Sequence, residues 1–141
     1  MDKVVVTGVL VKNQDNKLLL VKKHNGVGPY AGMYLTPGGG VKTGEAVDAA
    51  ALRELYEETG VKVSNLKRVF FDDDITDNWK GEKKHFIMLL YTADYLSGDL
   101  RPTAGDDDNL EIIQWFSKGE LETIPLSPPL ERLLKVIGEL S

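Results

Sequence analysis

The sequence of 141 residues predicts an α/β fold of the α+β kind: a mixed β-sheet with helices packed on it. Two observations carry this reading. The elements run strands, one helix, strands, one helix, not in the regular alternation that builds a parallel sheet. The candidate strands are rich in β-branched and aromatic residues, whereas residues 46–59 are dominated by Ala, Leu and Glu, which are strong helix formers. No repeat, low-complexity tract or linker divides the chain, so one domain over residues 1–141 is expected.

Residues 4–11 read as the first strand. Asn13, Gln14, Asp15 and Asn16 are turn chemistry, because Asn and Asp tolerate left-handed backbone and bond their own main chain. Residues 18–23 return as the second strand of a hairpin. A loop at 24–32 holds Gly26, Gly28, Pro29 and Gly32. A short strand at 33–36 leads into a Gly-rich turn, Pro37-Gly38-Gly39-Gly40. The helix at 46–59 is expected to anchor through Leu52, Leu55 and Tyr56, with the small residues Ala46, Val47, Ala50 and Ala51 on the other side. Gly60 stands where a left-handed residue stops a helix, with Val61 folding back onto Tyr56. Strands follow at 66–71 and 84–95, separated by an acidic loop holding Trp79. A strand at 111–116 and a terminal helix at 131–140, preceded by the breaker Ser127-Pro128-Pro129, complete the chain.

Composition excludes several functions. The chain has 17 Lys+Arg against 22 Asp+Glu, a net charge of −5, which argues against a nucleic-acid polymer as partner. A small phosphorylated substrate in a local pocket remains open. The longest apolar run is six residues, 86–91, against the roughly 20 that span a bilayer, so no membrane is expected. The start, Met1-Asp2-Lys3, has no apolar stretch suited to a signal peptide, and the expected location is the cytoplasm. Cysteine is absent, which removes disulfides, thiolate nucleophiles and Cys-based metal sites. His24 and His85 are too far apart for a helical His pair. The metal chemistry left is that of hard cations on oxygen ligands.

Residues 39–61 carry the chemistry. Glu54, Glu57 and Glu58 stand at i, i+3 and i+4, within a sector roughly 100° wide on one side of the helix. They occupy its last two turns, where the helix dipole disfavours acids by about 0.3–1 kcal/mol each. Like charges at i, i+4 add a similar penalty, which Arg53 offsets in part. Three acids stacked against local electrostatics point to a bound cation, with Mg²⁺ the natural candidate. The glycines just upstream bring main chain near the helix without Cβ bulk, and a glycine carbonyl there is a further candidate ligand. A plain solvated helix face explains a Glu-Glu pair equally well, but not the whole spacing.

That spacing reads Gly39, five residues, Glu45, seven residues, Arg53-Glu54-Leu55, one residue, Glu57-Glu58, one residue, Gly60-Val61. Seven fixed identities should coincide by chance in roughly one chain per million of this length. The segment resembles the Nudix box, G-x₅-E-x₇-R-E-U-x-E-E-x-G-U with U aliphatic, and matches every defined position. The resemblance to this MutT-type superfamily implies an α/β/α sandwich and hydrolysis of a nucleoside diphosphate linked to another group, with Mg²⁺ or Mn²⁺. It implies Glu54, Glu57 and Glu58 as metal ligands, with the Gly38 carbonyl a fourth. Arg53 and Glu45 would orient the carboxylates and the junction of loop and helix, and Gly39 would approach substrate. The general base is Glu54 or an acid from a late loop.

Weaker candidates lie outside the box. Lys23, rather than Lys22, is the expected phosphate-binding cation, since the resemblance implies a basic residue at the end of this strand. One of Asp106, Asp107, Asp108 or Glu111 would supply the additional late-loop acid. Tyr34 and Trp79 are candidate platforms for a base, Phe86 and His85 are expected to be structural, and Asp72, Asp73 and Asp74 to face solvent. The expected reaction is cleavage of a nucleoside triphosphate, or a related nucleotide, to a monophosphate, by a monomer or homodimer. One alternative is an ADP-ribose or nucleotide-sugar pyrophosphatase, a subgroup that typically shows a proline downstream, where this chain reads Asp74-Ile75-Thr76-Asp77. The diadenosine polyphosphate subgroup typically shows a tyrosine there, also missing, and the isomerase branch needs a cysteine the chain lacks. A non-catalytic nucleotide sensor is the alternative of a different class, although its box is usually degraded.

Overall fold

The computed structural model describes residues 1–24, 28–78, 80–101 and 110–141. β1 (Lys3–Lys12) and β2 (Leu18–Lys23) form the expected hairpin. Its turn is organised by Asn13, whose side-chain oxygen accepts from the amides of Asp15 and Lys17, each at 2.9 Å. Then come β3 (Tyr34–Leu35), β4 (Gly38–Gly40), α1 (Val47–Thr59), β5 (Lys62–Asp77), β6 (Lys83–Ser97) and β7 (Leu110–Phe116). A short 3₁₀ helix (Lys118–Thr123) and α2 (Pro128–Val136) follow.

The strands lie in the order β3-β2-β1-β6-β5, with β4 added to β1 and β7 to β2. β1 and β6 run parallel and the other strand pairings are antiparallel, so the sheet is mixed as expected. Alternate residues of a strand face opposite sides, so one apolar run serves two cores. Val9, Val11, Leu19, Tyr91 and Ala93 pack with Ala51 and Leu55 of α1 and with Val61. Leu10, Leu18, Leu20, Met88 and Leu90 pack with Leu130, Leu133 and Leu134 of α2. The result is a helix on each face of the sheet. Among the described residues, no helix is long and apolar enough to cross a membrane.

The structure corrects several local expectations. Pro37 to Gly40 is not a plain turn: Gly38, Gly39 and Gly40 pair with Gly8, Thr7 and Val6 as β4. Gly38 must lack a Cβ, because one built there would lie 1.9 Å from the Thr7 carbonyl oxygen. The buried face of α1 is Ala50, Ala51, Leu55 and Thr59, whereas Leu52 and Tyr56 are each 43% exposed. The sheet approaches α1 closely enough that small residues fit there better than Leu or Tyr. Gly60 ends the helix with φ +83°, as expected, but Val61 buries in the core beside Leu55 and not on Tyr56. Tyr56 lies instead against the cations Arg101 and Lys62.

The acidic stretch after Phe71 is strand, not loop, up to Asp77. Its acids do not all face solvent. Asp72 accepts from Arg132 of α2 at 2.6 Å, and Asp74 accepts from the Tyr30 hydroxyl. Ser127-Pro128-Pro129 starts α2 instead of merely preceding it. Ser127 Oγ accepts from the Leu130 amide at 3.4 Å, and proline is tolerated in a first turn where amides have no helical partner.

Candidate active site

The helical repeat turns Glu54 and Glu58 to the edge of the buried stripe that Leu55 centres, against β4. Both are half-buried, while Glu57 is exposed. The Gly38 amide donates to Glu58 Oε1 at 3.0 Å. A Cβ built on Gly39 would lie 2.4 Å from Glu54 Oε2, so the carboxylate occupies the space a side chain would take. Thr7, buried on β1, donates to the Gly39 carbonyl at 3.2 Å. The Gly-rich segment is therefore a flat backbone surface on which two of the helix acids rest.

Arg53 is the electrostatic centre of the box. Its Nε and Nη2 donate to the two oxygens of Glu45 at 2.7 and 2.8 Å. Nη1 donates to Glu54 at 2.9 Å and to Glu57 at 3.2 Å, and Nη2 reaches the Gly40 carbonyl at 3.1 Å. The guanidinium, then the Lys42 amide, hold the Glu45 carboxyl down to about 2. The same acids push the Arg53 pKa above its ordinary value, so its charge is fixed. Five donors in a rigid fork suit this task, which a lysine could not perform.

This arrangement refines the expected convergence. Glu54, Glu57 and Glu58 share one side of α1, but Arg53 stands between Glu54 and Glu57, and Glu58 turns to the Gly38 amide. Among the described residues, no three acidic or histidine side chains are gathered tightly enough to form a metal cluster as they stand. The donor chemistry nevertheless suits a hard divalent cation, being carboxylate and main-chain carbonyl oxygen with no thiolate or imidazole. Arg53 satisfies charge that a cation would otherwise have to neutralise.

Beside these acids opens a cleft of about 250 Å³. Glu58, Lys23, Gly38 and Gly39 line it at the box, and Val6, Leu35, Phe86, Met88, Leu90 and Leu130 form much of its apolar wall. Lys23, not Lys22, lines the cleft. Burial lowers the Lys23 pKa against the opposing pull of Glu58, whereas Lys22 pairs with Glu111 at 3.0 Å. That pair lowers the Glu111 pKa and engages the acid expected as an additional ligand. Tyr34 is corrected: its ring packs edge-on against Phe116 in the core, 5.0 Å between centroids, because β3 turns it inward. Phe86 is buried as expected, yet it also lines the cleft. His85 bonds Asp73 at 2.7 Å, away from the box. Trp79, Asp106, Asp107 and Asp108 lie outside the described residues. Tyr30 lines the cleft from the loop at 24–32, where no motif or periodicity distinguishes it from its neighbours.

The chain belongs to the NUDIX domain family, whose model matches residues 2–136. It is 39% identical over 106 residues to an ADP-ribose pyrophosphatase of Methanocaldococcus jannaschii, covering 74% of this chain and 56% of that protein. It is 36% identical to the NAD-capped RNA hydrolase NudC of Pseudomonas aeruginosa over 73% of this chain and 34% of the relative. The chain thus spans about half the length of the first relative and about a third of the second. Among solved structures, a MutT NUDIX hydrolase from Burkholderia pseudomallei superposes with TM-score 0.80 at 28% identity, covering 97% of this chain and 99% of the other. The NUDIX domain of Shewanella oneidensis NrtR, complexed with ADP ribose, superposes with TM-score 0.77 at 19% identity, covering 99% and 88%, a likeness of fold.

Proposed function

We propose that this protein is a divalent-cation-dependent pyrophosphohydrolase that cleaves the diphosphate linkage of a nucleoside triphosphate or related nucleotide and releases a nucleoside monophosphate. The observation that carries the reading is the position of Glu58. It bonds the Gly38 amide just before the box and also lines an apolar cleft shared with Lys23. Phosphate chemistry and a site for the rest of the substrate are therefore contiguous.

Glu54, Glu57, Glu58 and the Gly38 carbonyl would hold Mg²⁺ or Mn²⁺. When bound, such a cation supplies charge neutralisation on the phosphates and acidifies water. The chain's own residues do the rest. The flat Gly38–Gly40 backbone lets phosphate approach without steric interference. Lys23 offers a cation for phosphate oxygens at the mouth of the apolar wall. Arg53 keeps Glu45, Glu54 and Glu57 in fixed places. Glu54, half-buried against Gly39, takes the proton of the attacking water. Water oxygen bonds to phosphorus as the bridging anhydride P–O bond breaks, and the bond's electrons leave on the departing phosphate.

A second reading, ADP-ribose or nucleotide-sugar hydrolysis, is favoured by the similarity to a protein named ADP-ribose pyrophosphatase. Incubating the chain with Mg²⁺ and a panel of nucleoside triphosphates, ADP-ribose and NAD, with products resolved by phosphorus NMR, separates the two. Monophosphate with inorganic pyrophosphate supports the first, and AMP with ribose 5-phosphate from ADP-ribose the second. Full turnover after exhaustive chelation would sink the metal requirement. Nucleotide binding without any hydrolysis would leave a sensor module.

A further inference from the structure

The end of the cleft remote from the box is closed by a set of side chains that phosphate chemistry does not use. Tyr30 lines the cleft and donates its hydroxyl to Asp74 of β5. Asp74 is the cross-strand neighbour of Phe86, and Asp72 that of Met88, and both apolar partners line the same cleft. Asp72 in turn accepts from Arg132 of α2 at 2.6 Å. A loop, the edge strand β5 and α2 are thus tied together around one end of the cavity. Tyr30 has φ +60°, in the left-handed region, where a bulky residue is an outlier that its surroundings must hold in place. Burial, and then the bond to Asp74, raise the Tyr30 pKa above the ordinary phenol range, so the hydroxyl stays a donor.

Two other polar side chains of the cleft, Ser127 and Asn78, are already engaged. Ser127 Oγ caps α2, and Asn78 Oδ1 accepts from the amides of Lys80 and Glu82, each at 2.9 Å. Thr36 Oγ1 is packed against Gly8, whose missing Cβ would lie 2.3 Å from it. What this end offers a ligand among the described residues is therefore chiefly an apolar floor and an aromatic ring. That suits a flat heterocycle better than a sugar, whose hydroxyls would be left unpaired on burial.

We propose that Tyr30 is a specificity-determining residue that seats the nucleobase of the substrate against the Phe86–Met88 floor, and that Asp74 is a positioning residue acting through the Tyr30 hydroxyl. The proposal rests on the nucleotide reading above and names how that site selects its substrate. Recognition by ring face and shape makes selection among bases shallow, while a base-free sugar phosphate gains nothing from this end.

The test is equilibrium binding of AMP, GMP and base-free ribose 5-phosphate to wild type, Tyr30→Ala, Tyr30→Phe, Asp74→Ala and Asp74→Asn. KM and kcat for the nucleoside triphosphates are measured on the same proteins. Tyr30→Ala should weaken both nucleotides about tenfold, the loss of one stacked base, and shift ribose 5-phosphate much less. It should raise KM more than it lowers kcat. Asp74→Ala and Tyr30→Phe each remove the hydroxyl–carboxylate bond and should give the same intermediate loss, whereas Asp74→Asn, whose amide oxygen still accepts, should recover most of it. These two milder variants keep the test open if Tyr30→Ala fails to fold. Equal weakening of nucleotide and sugar phosphate, or a fall in melting temperature with every affinity unchanged, would overturn the proposal. Should wild type hydrolyse no nucleotide, the catalytic reading fails, while the difference between AMP and ribose 5-phosphate still decides the role of Tyr30.

Discussion

Arg53 grips both carboxylate oxygens of Glu45, at 2.7 Å through Nε and 2.8 Å through Nη2. The contact joins the second turn of α1 to the segment that enters it, across eight positions of sequence. Glu45 also accepts from the Lys42 amide at 3.1 Å, which closes the turn before α1. The pair thus fixes how β4 and α1 meet, and so where Glu54 lies over Gly39.

The sign of its pH dependence follows from the Glu45 carboxyl, held near 2 by Arg53 and then by the Lys42 amide. An unfolded glutamate titrates at about 4.3. A depressed native pKa gives stability that is present above the unfolded value and lost as pH falls toward the native one. Glu45→Gln should therefore melt lower than wild type at neutral pH, with the gap closing between about pH 5 and about pH 2. Melting curves of both proteins across that range check this; a gap constant with pH would mean that the ion pair contributes nothing.

Much of this was legible in the sequence, for physical reasons. The box declares itself because its chemistry needs fixed residue types at fixed helical spacing. Helices packed on a mixed sheet were legible in the order of elements, strands, one helix, strands, one helix. What escaped depended on partners distant in sequence. The inward turn of Tyr34 requires Phe116, and the engagement of Asp74 requires Tyr30. The buried face of α1 is not legible from apolar area, in which Leu52 and Tyr56 outrank alanine, because close packing on the sheet favours Ala50 and Ala51. The guanidinium between Glu54 and Glu57 is half legible: the i−4 spacing of Arg53 from Glu57 shows a partial offset of charge, while the bonds to Glu45 and Glu54 appear only in the fold.

Glu57→Gln and Glu58→Gln each keep size and helix propensity while removing an anionic oxygen. If these acids hold a divalent cation, each change should cut turnover by about tenfold to a hundredfold or more. The metal-free fold should hold, because relief of like-charge repulsion at the helix end is worth about 0.3–1 kcal/mol and the glutamine oxygen can still accept, more weakly, from Arg53 or Gly38. Mg²⁺ should raise the melting temperature of wild type more than of either variant. Near wild-type turnover in both would refute the ligand assignment.

Gly39→Ala probes the contact from the other side. A Cβ would lie 2.4 Å from Glu54 Oε2, inside any tolerable approach, so the carboxylate must move off the backbone surface. Glu54 is the end of a flexible chain, so the fold should survive with a modest loss of about 1–2 kcal/mol. Turnover should fall much further than stability, since a displacement near 1 Å can cost about a hundredfold. Unchanged kcat in a folded Gly39→Ala would show that Glu54 does not act from this position.

The adjacent lysines give an internal comparison. Lys22 and Lys23 flank a register shift in β2, so one strand end sends its two cations to different surroundings. Lys22 pairs with Glu111 at 3.0 Å and has its pKa raised by that partner. Lys23 lines the cleft, where burial lowers its pKa and Glu58 opposes the shift. A half-buried cation next to an apolar wall gains most when an anion arrives, because phosphate replaces the hydration that burial removed. Lys23→Ala should therefore raise KM for a nucleoside triphosphate by about tenfold, with Lys23→Arg recovering much of the loss through its retained charge. Lys22→Ala removes only the ion pair to Glu111 and no cation of the cleft, and should move KM by less than about twofold. Steady-state kinetics on the three variants decide the matter. Equal effects of Lys22→Ala and Lys23→Ala would mean that net positive charge, and not contact inside the cleft, is what the substrate feels.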